Sequence, residues 1–125
     1  MKTEIFYKRE SYEIIGICME VHNILGKGHS EVIYKDALEY EFNLNGIEYS
    51  REKSYKIKYK EIILPRLYKA DFVVFDKIIL EVKAIESIES GNVKQTLNYL
   101  AASGLKLGLL VNFGEDNVNY KRVVL

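Results

Sequence analysis

Hydrophobic positions in the first part of the chain recur with the period of an α-helix. In SYEIIGICMEVHNILGKG the apolar side chains fall three or four residues apart, and Gly26 and Gly28 would end the helix. A second helix is expected to begin near Ser30, a residue type that commonly caps helices, and to end at NLNG. The expected core-facing positions are Ile14, Cys18, Val21, His22 and Leu25 in the first helix, and Val32, Ile33, Ala37, Leu38 and Phe42 in the second.

The pattern then changes to the alternation that is typical of strands. YKIKYK alternates strictly, and EIILPRLYKADFVVF predicts a second strand region in which Pro65 should lie at an edge, a bulge or a strand start. KIILEVKAI predicts a third strand, and LKLGLLVNFG and VNYKRVVL predict two further strands. Between them ESGNVKQTLNYLAASG predicts a helix whose inward side carries Val93, Leu97, Leu100 and Ala101. The predicted order is α-α-β-β-β-α-β-β, an α/β (α+β) fold with a central mixed sheet and helices packed on it.

Length and composition set the broad class of protein. At 125 residues, with 48% apolar positions, the chain is expected to form one domain, residues 1–125. Its 18 basic and 18 acidic residues argue against a general nucleic-acid coat protein but leave room for a local basic patch. The single cysteine, Cys18, excludes an intramolecular disulfide. The N-terminal MKTEIFYKRE lacks the apolar core of a signal peptide, and no run suits a membrane span, so a cytoplasmic protein is expected.

The strand segment IILEVKA places two charged residues at the end of one of the most apolar parts of the chain. Glu81 and Lys83 are two residues apart, so their side chains point to the same face of a strand. Asp71 begins DFVVF on the preceding strand, and the loop between the strands decides whether Asp71 meets Glu81. A two-residue turn would put the carboxylates on opposite faces, whereas a three-residue loop or a bulge would pair them directly.

Directly opposed carboxylates repel each other and destabilise a sheet, unless a divalent cation lies between them. Mg²⁺, or Mn²⁺ in its place, suits such a pair because it prefers oxygen ligands and is completed by waters and substrate phosphates. The metal could activate a water, while Lys83 could orient that water and offset charge in the transition state. The residues therefore indicate phosphodiester hydrolysis. The alternative is that Glu81 and Lys83 form an ordinary exposed pair on a half-solvated strand face.

The order of the candidate residues resembles that of the PD-(D/E)XK nuclease superfamily. Asp71 comes first, Glu81-Val82-Lys83 follows on the next strand, and a helix carrying Gln95 comes after it. GHSEVIY matches the G-x-x-E-x-x-Y signature of the GxxExxY protein family within that superfamily. EVHNILGKG, YKADFVVF, IILEVKAI, QTLNYL and LGLLVNFG agree with the same family, so the resemblance covers nearly the whole chain. One departure is Ala70, which stands where the superfamily motif has proline.

The resemblance implies a restriction-endonuclease-like core, in which helices flank a central mixed sheet. It implies Asp71 and Glu81 as metal ligands and Lys83 as the catalytic lysine. Glu31 would be the acidic residue contributed by an early helix, acting as a further metal ligand. Gln95 would lie beside the active site as a further catalytic residue.

Tyr34 and Tyr99 are candidate substrate contacts on the two helices that carry these residues. Tyr34 shares a helix face with Glu31 and could contact a phosphate. Alternatively, Glu31 only stabilises the helix dipole and Tyr34 packs against the sheet. Tyr99 is one turn from Gln95, and the alternative for both is a polar helix edge over the sheet.

The segment from Arg51 to Lys69 is strongly basic, with seven bases against two acids. Lys56, Lys58 and Lys60 alternate along the predicted strand and would share one face, which could follow a phosphate backbone. Alternatively, these lysines are solvated or protect a sheet edge from pairing.

Together these features predict a Mg²⁺-dependent or Mn²⁺-dependent nuclease that acts on nucleic acid, with DNA favoured over RNA. The competing hypothesis is a nucleic-acid-binding or scaffold module that keeps the fold but has little activity. No membrane partner is expected. A homodimer or a partner protein is the expected source of specificity, because 125 residues leave no room for a separate targeting domain.

Overall fold

A computed structural model describes residues 6–125; residues 1–5, the start of the charged segment MKTEIFYKRE, lie outside the described residues. The helices are α1 (Lys8–Leu25), α2 (Glu31–Leu44) and α3 (Ser90–Ser103), and the strands are β1 (Tyr49–Tyr59), β2 (Ile62–Val74), β3 (Ile78–Lys83), β4 (Leu107–Asn112) and β5 (Asn119–Val123). The predicted order α-α-β-β-β-α-β-β is therefore confirmed. None of the helices in residues 6–125 is long and apolar enough to cross a membrane.

The five strands form one mixed sheet in the order β1-β2-β3-β4-β5. β3 and β4 are parallel, and the other neighbouring pairs are antiparallel. A parallel pair needs a crossover connection, which α3 supplies between β3 and β4. The sheet is thus mixed because a helix interrupts an otherwise antiparallel succession of strands.

Each face of the sheet carries its own hydrophobic core. α1 and α2 cover one face, where Leu80 of β3 packs; we call this the α1/α2 core. α3 covers the other face, where Ile79 packs with Leu100; we call this the α3 core. Because side chains alternate along a strand, Glu81 and Lys83 lie on the same face as Ile79 and turn towards α3.

The buried stripe of α2 differs from the predicted one. Tyr34, Leu38 and Phe42 are fully buried, whereas Val32 and Ile33 are 51% and 40% exposed. The prediction was wrong for Val32 and Ile33 because an aromatic residue begins the stripe and its members repeat every four residues. The two aliphatic residues precede Tyr34 by one and two positions, which rotates them away from the sheet.

The buried stripe of α3 also includes residues that the apolar pattern did not indicate. Thr96 and Tyr99 are buried, whereas Ala101, predicted to face inward, is exposed. Thr96 lies close to Gly108 of β4, where an added Cβ would come within 2.6 Å of the Thr96 methyl group. The absence of a side chain at Gly108 therefore allows α3 to approach the sheet closely.

β1 and β2 extend well beyond the rest of the sheet as a two-stranded arm. β3 pairs with β2 only at Phe72–Val74, so residues 53–70 form a ribbon that we call the β1–β2 arm. Between the pairs Lys56↔Leu67 and Lys58↔Ile63, a single β1 residue faces three residues of β2, including Pro65. The predicted placement of Pro65 at a bulge is confirmed, and its missing N–H costs no regular ladder bond there.

Candidate active site

The hairpin between β2 and β3 brings the two predicted carboxylates together. Val74 pairs with Ile78, so the loop is the three residues 75–77, and Phe75 and Asp76 both adopt left-handed φ angles of 57°. Phe72 pairs with Leu80, and continuing this register places Asp71 opposite Glu81. Of the two registers that the sequence allowed, the odd-numbered loop is the one present.

At Asp71 and Glu81 the hydrogen bonds between β2 and β3 are accepted by side-chain carboxylates and no longer by backbone carbonyls. The Asp71 N–H donates to Glu81 Oε2 at 2.7 Å, and the Val82 N–H donates to Asp71 Oδ2 at 2.8 Å. Each carboxylate thus accepts a backbone hydrogen bond from the opposite strand. These bonds fix the two side chains and hold the carboxylates at the end of the ladder.

The strand β2 changes faces at Asp71. Tyr68 and Ala70 pack in the α3 core, but Phe72, two residues further on, packs in the α1/α2 core. In a regular strand these alternate residues would share a face, so the backbone must rotate between Ala70 and Phe72. Opposite Asp71, Glu52 of β1 has a left-handed φ of 58°. Asp71 therefore lies at an irregular point from which its carboxylate can reach both sides of the sheet.

Burial and charge make Glu81 an unusual carboxyl group. It is only 3% exposed, and burial, followed by the negative charge of Asp71, raises the pKa of Glu81 to about 8. The Asp71 N–H and the charges of Lys83 and Lys35 oppose this rise without cancelling it. An apolar strand therefore holds a carboxyl group whose ionised form is disfavoured by its surroundings.

Two α3 residues complete the site on the Glu81 face. Lys83 Nζ donates to Gln95 Oε1 at 3.3 Å, so the structure brings these two predicted catalytic residues together. Tyr99 is 7% exposed, and burial, followed by the charges of Glu81 and Asp71, raises the pKa of Tyr99 to about 12. Tyr99 therefore keeps its phenolic proton at neutral pH beside the carboxylates.

Sequence reasoning missed Lys35, which lies between Asp71 and Glu52. Its Nζ is 3.2 Å from Asp71 Oδ1 and 2.9 Å from Glu52 Oε1, and its side chain is only 12% exposed. Burial would lower the pKa of Lys35, but the two carboxylates raise it above its usual value, so the ammonium group is charged. Its position four residues after Glu31 was the available signal, because both residues share one helix face.

The predicted third acid is not brought to the carboxylate pair. Glu31 is the first residue of α2, where its negative charge stabilises the positive end of the helix dipole. Within residues 6–125, no three His, Cys, Asp or Glu side chains lie close enough together to hold a metal ion. Any metal bound by Asp71 and Glu81 would therefore lack Glu31 as a third ligand in this conformation.

Tyr34 lies inside the protein and corrects one predicted substrate contact. It is fully buried, and its ring stacks on Phe113 with centroids 4.7 Å apart. Its hydroxyl donates to the Gly26 carbonyl at 2.6 Å and accepts from the His29 N–H at 3.2 Å. This is the packing role that the sequence left open as the alternative, and Tyr34 is not retained among the proposed substrate contacts.

The three predicted lysines lie on the β1–β2 arm, but only two of them belong to a strand. Lys56 and Lys58 are exposed on β1 and alternate with the half-buried Tyr55 and Ile57. Lys60 lies outside β1, in the turn before β2, with a left-handed φ of 52°. The predicted strand face therefore contains two of the three lysines, and the third is exposed at the tip of the arm.

Comparison with known proteins agrees with this architecture. The model of the PD-(D/E)XK nuclease superfamily matches residues 8–123. The crystal structure of SSO0001 is similar, with a TM-score of 0.59, 21% identity, and coverage of 94% of this chain and 59% of that one. An alkaline exonuclease (LHK-Exo) from Laribacter hongkongensis is also similar, with a TM-score of 0.55, 13% identity, and coverage of 98% and 72%. No curated protein matches the chain.

At these identities the two structures show a shared fold, and the chain spans about 59% of the length of SSO0001. The predicted restriction-endonuclease-like fold, a mixed sheet flanked by helices, is confirmed. The family model extends over nearly the whole chain, including both carboxylates, Lys83 and Gln95. This chain therefore belongs to the PD-(D/E)XK nuclease superfamily.

Proposed function

We propose that the protein is a metal-dependent nuclease of the GxxExxY family that hydrolyses phosphodiester bonds in DNA. The observation that supports this most strongly is the Asp71–Glu81 pair, held by backbone N–H groups where the sheet ladder ends. A purely structural role would not need a buried carboxyl group beside a second one, because burial and mutual repulsion both disfavour its charge.

The chemistry of the donor set suits Mg²⁺ or Mn²⁺. Asp71 and Glu81 offer only oxygen ligands, and Mg²⁺ is commonly held by one or two carboxylates together with waters and substrate phosphates. When bound, the ion would supply a water of lowered pKa and a positive charge beside the phosphoryl oxygens. The raised pKa of Glu81 in the metal-free protein also fits, since a nearby cation would favour the ionised carboxylate.

Lys83 acts in this proposal on the reacting phosphate. Its ammonium group lies on the same strand face as Glu81, and the Gln95 amide oxygen holds it at 3.3 Å. From there it can orient the attacking water and stabilise the charge that develops on the phosphoryl oxygens. Tyr99, which keeps its proton, is a hydrogen-bond donor for the substrate on the same face.

The β1–β2 arm is the proposed contact surface for the nucleic-acid backbone. Lys56, Lys58 and Lys60 are all exposed on the arm, and Asp71 directly follows its last residue. A polyanion that lies along the arm would thus lead towards the carboxylates. Electrostatic contacts of this kind supply most of the non-specific affinity of proteins for nucleic acids.

The test is a cleavage assay with single-stranded, double-stranded and branched DNA and RNA, in EDTA, Mg²⁺ and Mn²⁺. We expect cleavage only with metal, and we expect Glu81→Gln to abolish it while leaving the protein folded. Glu20→Gln, which neutralises an exposed acid on α1, is the matched control and should cleave normally. Binding without cleavage under all conditions would instead support the nucleic-acid-binding or scaffold hypothesis.

A further inference from the structure

Lys35 is a partly buried cation shared by two acids from two different strands. It extends from α2 to Asp71 of β2 and to Glu52 of β1, with nitrogen–oxygen distances of 3.2 and 2.9 Å. The two acids differ in their surroundings: the Asp71 side chain is 15% exposed and that of Glu52 is 44% exposed. The ammonium group therefore lies between an inner and an outer carboxylate.

The backbone at Glu52 is held in an uncommon conformation. Its φ of 58° is in the left-handed region, which is unfavourable for a residue with a side chain and is rare within a strand. The ladder between β1 and β2 pairs Arg51 with Phe72 and Lys53 with Ala70, but it leaves out Glu52 and Asp71. The strands thus lose regular pairing at the position where these two acids meet Lys35.

We propose that Lys35 is an internal counter-ion of Asp71 that competes with the metal, and that Glu52 receives Lys35 when the metal binds. This inference rests on the proposed metal site at Asp71 and Glu81. In the metal-free protein, Lys35 neutralises Asp71 and thereby relieves its repulsion of Glu81. In the metal-bound protein, Lys35 loses its contact with Asp71 and keeps only the contact with Glu52. Because the strand ladder leaves out Glu52, its carboxylate stays in position to bind Lys35.

Charge and geometry both support a competition at one oxygen atom. Asp71 Oδ2 already accepts the Val82 N–H, whereas Oδ1 faces Lys35. A positive charge this close to Oδ1 repels a divalent cation strongly, because the interaction is only partly screened in a half-buried site. Lys35 can move because its flexible stem ends in a compact charge, and it is already within hydrogen-bond distance of Glu52.

The test measures metal affinity directly, without nucleic acid and without any cleavage. Mn²⁺ is titrated by calorimetry into metal-free wild-type protein and into Lys35→Met, Glu52→Gln and the double variant. Removing the competing charge in Lys35→Met should tighten binding by about tenfold or more, in view of the strength of charge interactions at such distances. Glu52→Gln should weaken binding, because Lys35 then has no second partner.

The double variant distinguishes this mechanism from a general effect of charge. If Glu52 acts through Lys35, Glu52→Gln should have little effect in the Lys35→Met background, so the two changes are not additive. Additive effects would overturn the proposal, since they would mean that each charge acts on the metal independently. The Lys77–Glu10 pair, at 2.8 Å, is the matched control: Lys77→Met and Glu10→Gln should leave Mn²⁺ affinity unchanged.

Two further variants keep the result interpretable. Glu81→Gln tests the proposed metal site itself: if the wild type binds Mn²⁺ and this variant does not, the site stands whatever Lys35 does. If Lys35→Met then binds no more tightly, only the counter-ion proposal is wrong; if neither wild type nor Lys35→Met binds Mn²⁺, both proposals are wrong.

Should Lys35→Met fail to fold, Lys35→Arg replaces it. The planar guanidinium group of arginine binds carboxylates more firmly than an ammonium group does, so Mn²⁺ binding should weaken. Unchanged or tighter Mn²⁺ binding would overturn the proposal.

Discussion

The β3–β4 pair and the β1–β2 arm differ in almost every structural respect. β3 and β4 pair without interruption over six residues, and all six residues of β4 and five of β3 are buried. The arm is largely exposed, its register breaks at Pro65, one left-handed residue, Lys60, lies in its turn, and another, Glu52, lies directly before it. Glu81 belongs to the regular pair and Asp71 to the base of the arm, so the site forms where a rigid region meets an irregular one.

This contrast has a physical consequence for the candidate site. A fully buried strand fixes the position of Glu81 but surrounds it with apolar groups that disfavour its charge. The irregular strand allows Asp71 to depart from normal pairing and to contact Lys35, Glu81 and the Val82 N–H. Neither region alone could place two carboxylates side by side, because a regular antiparallel pair would leave both without compensating donors.

The largest expected difference between the two regions is in stability. Leu80→Ala removes a fully buried side chain from β3 and should lower the free energy of unfolding by about 2–5 kcal/mol. Leu67→Ala removes the same atoms from the arm, where Leu67 is 50% exposed, and should cost about 0.5 kcal/mol or less. Urea denaturation of both variants checks this. An equal loss of unfolding free energy in the two variants would mean that the exposed side of the arm packs against another surface.

The second prediction concerns Lys83, the catalytic lysine of the proposed reaction. Lys83→Ala should lower metal-dependent cleavage by about 10²–10³-fold, as does the loss of one donor to transition-state charge in other enzymes. Substrate binding should weaken much less, because the interaction is made mainly in the transition state. Single-turnover cleavage and equilibrium binding are measured in parallel, with Lys121→Ala on the exposed side of β5 as the control. An equal loss in binding and cleavage would make Lys83 a substrate contact only.

The third prediction is a pH dependence that separates the two carboxylates. The pKa of Glu81 is raised, so the folded protein binds its proton more tightly than the unfolded chain does. The free energy of unfolding of the metal-free protein should therefore fall as the pH rises from about 4.5 to about 8. The expected decrease is on the order of 1–3 kcal/mol. Glu81→Gln keeps an oxygen for the Asp71 N–H and cannot ionise, so it should be more stable than wild type at pH 8 and about equal at pH 4.5.

Asp71→Asn provides the contrast to that variant. It removes the negative charge that holds Lys35 and should destabilise the metal-free protein at neutral pH, in the opposite direction to Glu81→Gln. Chemical denaturation in EDTA at several pH values measures both. Destabilisation by both variants at pH 8 would show that repulsion between the carboxylates contributes little to the metal-free state.

The smallest effect is expected on the arm. Lys56→Gln with Lys58→Gln should weaken nucleic-acid binding several-fold and reduce the slope of log affinity against log salt by about 1.4–1.8, since each of the two phosphate contacts contributes about 0.7–0.9. The double variant Lys106→Gln with Lys121→Gln, which removes the same charge elsewhere, should change the slope little. An equal change in both would mean that net charge, and not the arm, determines binding.

Sequence periodicity determined the order and type of the elements. Long segments with a clear helical or alternating pattern each formed the predicted helix or strand, because burial of one face dominates the local choice of structure. It also determined that Glu81 and Lys83 share a strand face, because alternation fixes this relation within one strand. The order of Asp71, Glu81-Val82-Lys83 and Gln95 carried the family resemblance.

Only the tertiary structure decided which residues meet across elements. The hairpin register depends on a loop of three residues with two left-handed positions, and the sequence DK between two apolar runs was equally compatible with a two-residue turn. The Lys35 contacts with Asp71 and Glu52 join residues of three elements, and no local pattern encodes such a distance. The same holds for Tyr34, which contacts Phe113 and the Gly26 carbonyl only because the chain just after β4 and the α1–α2 loop pack together.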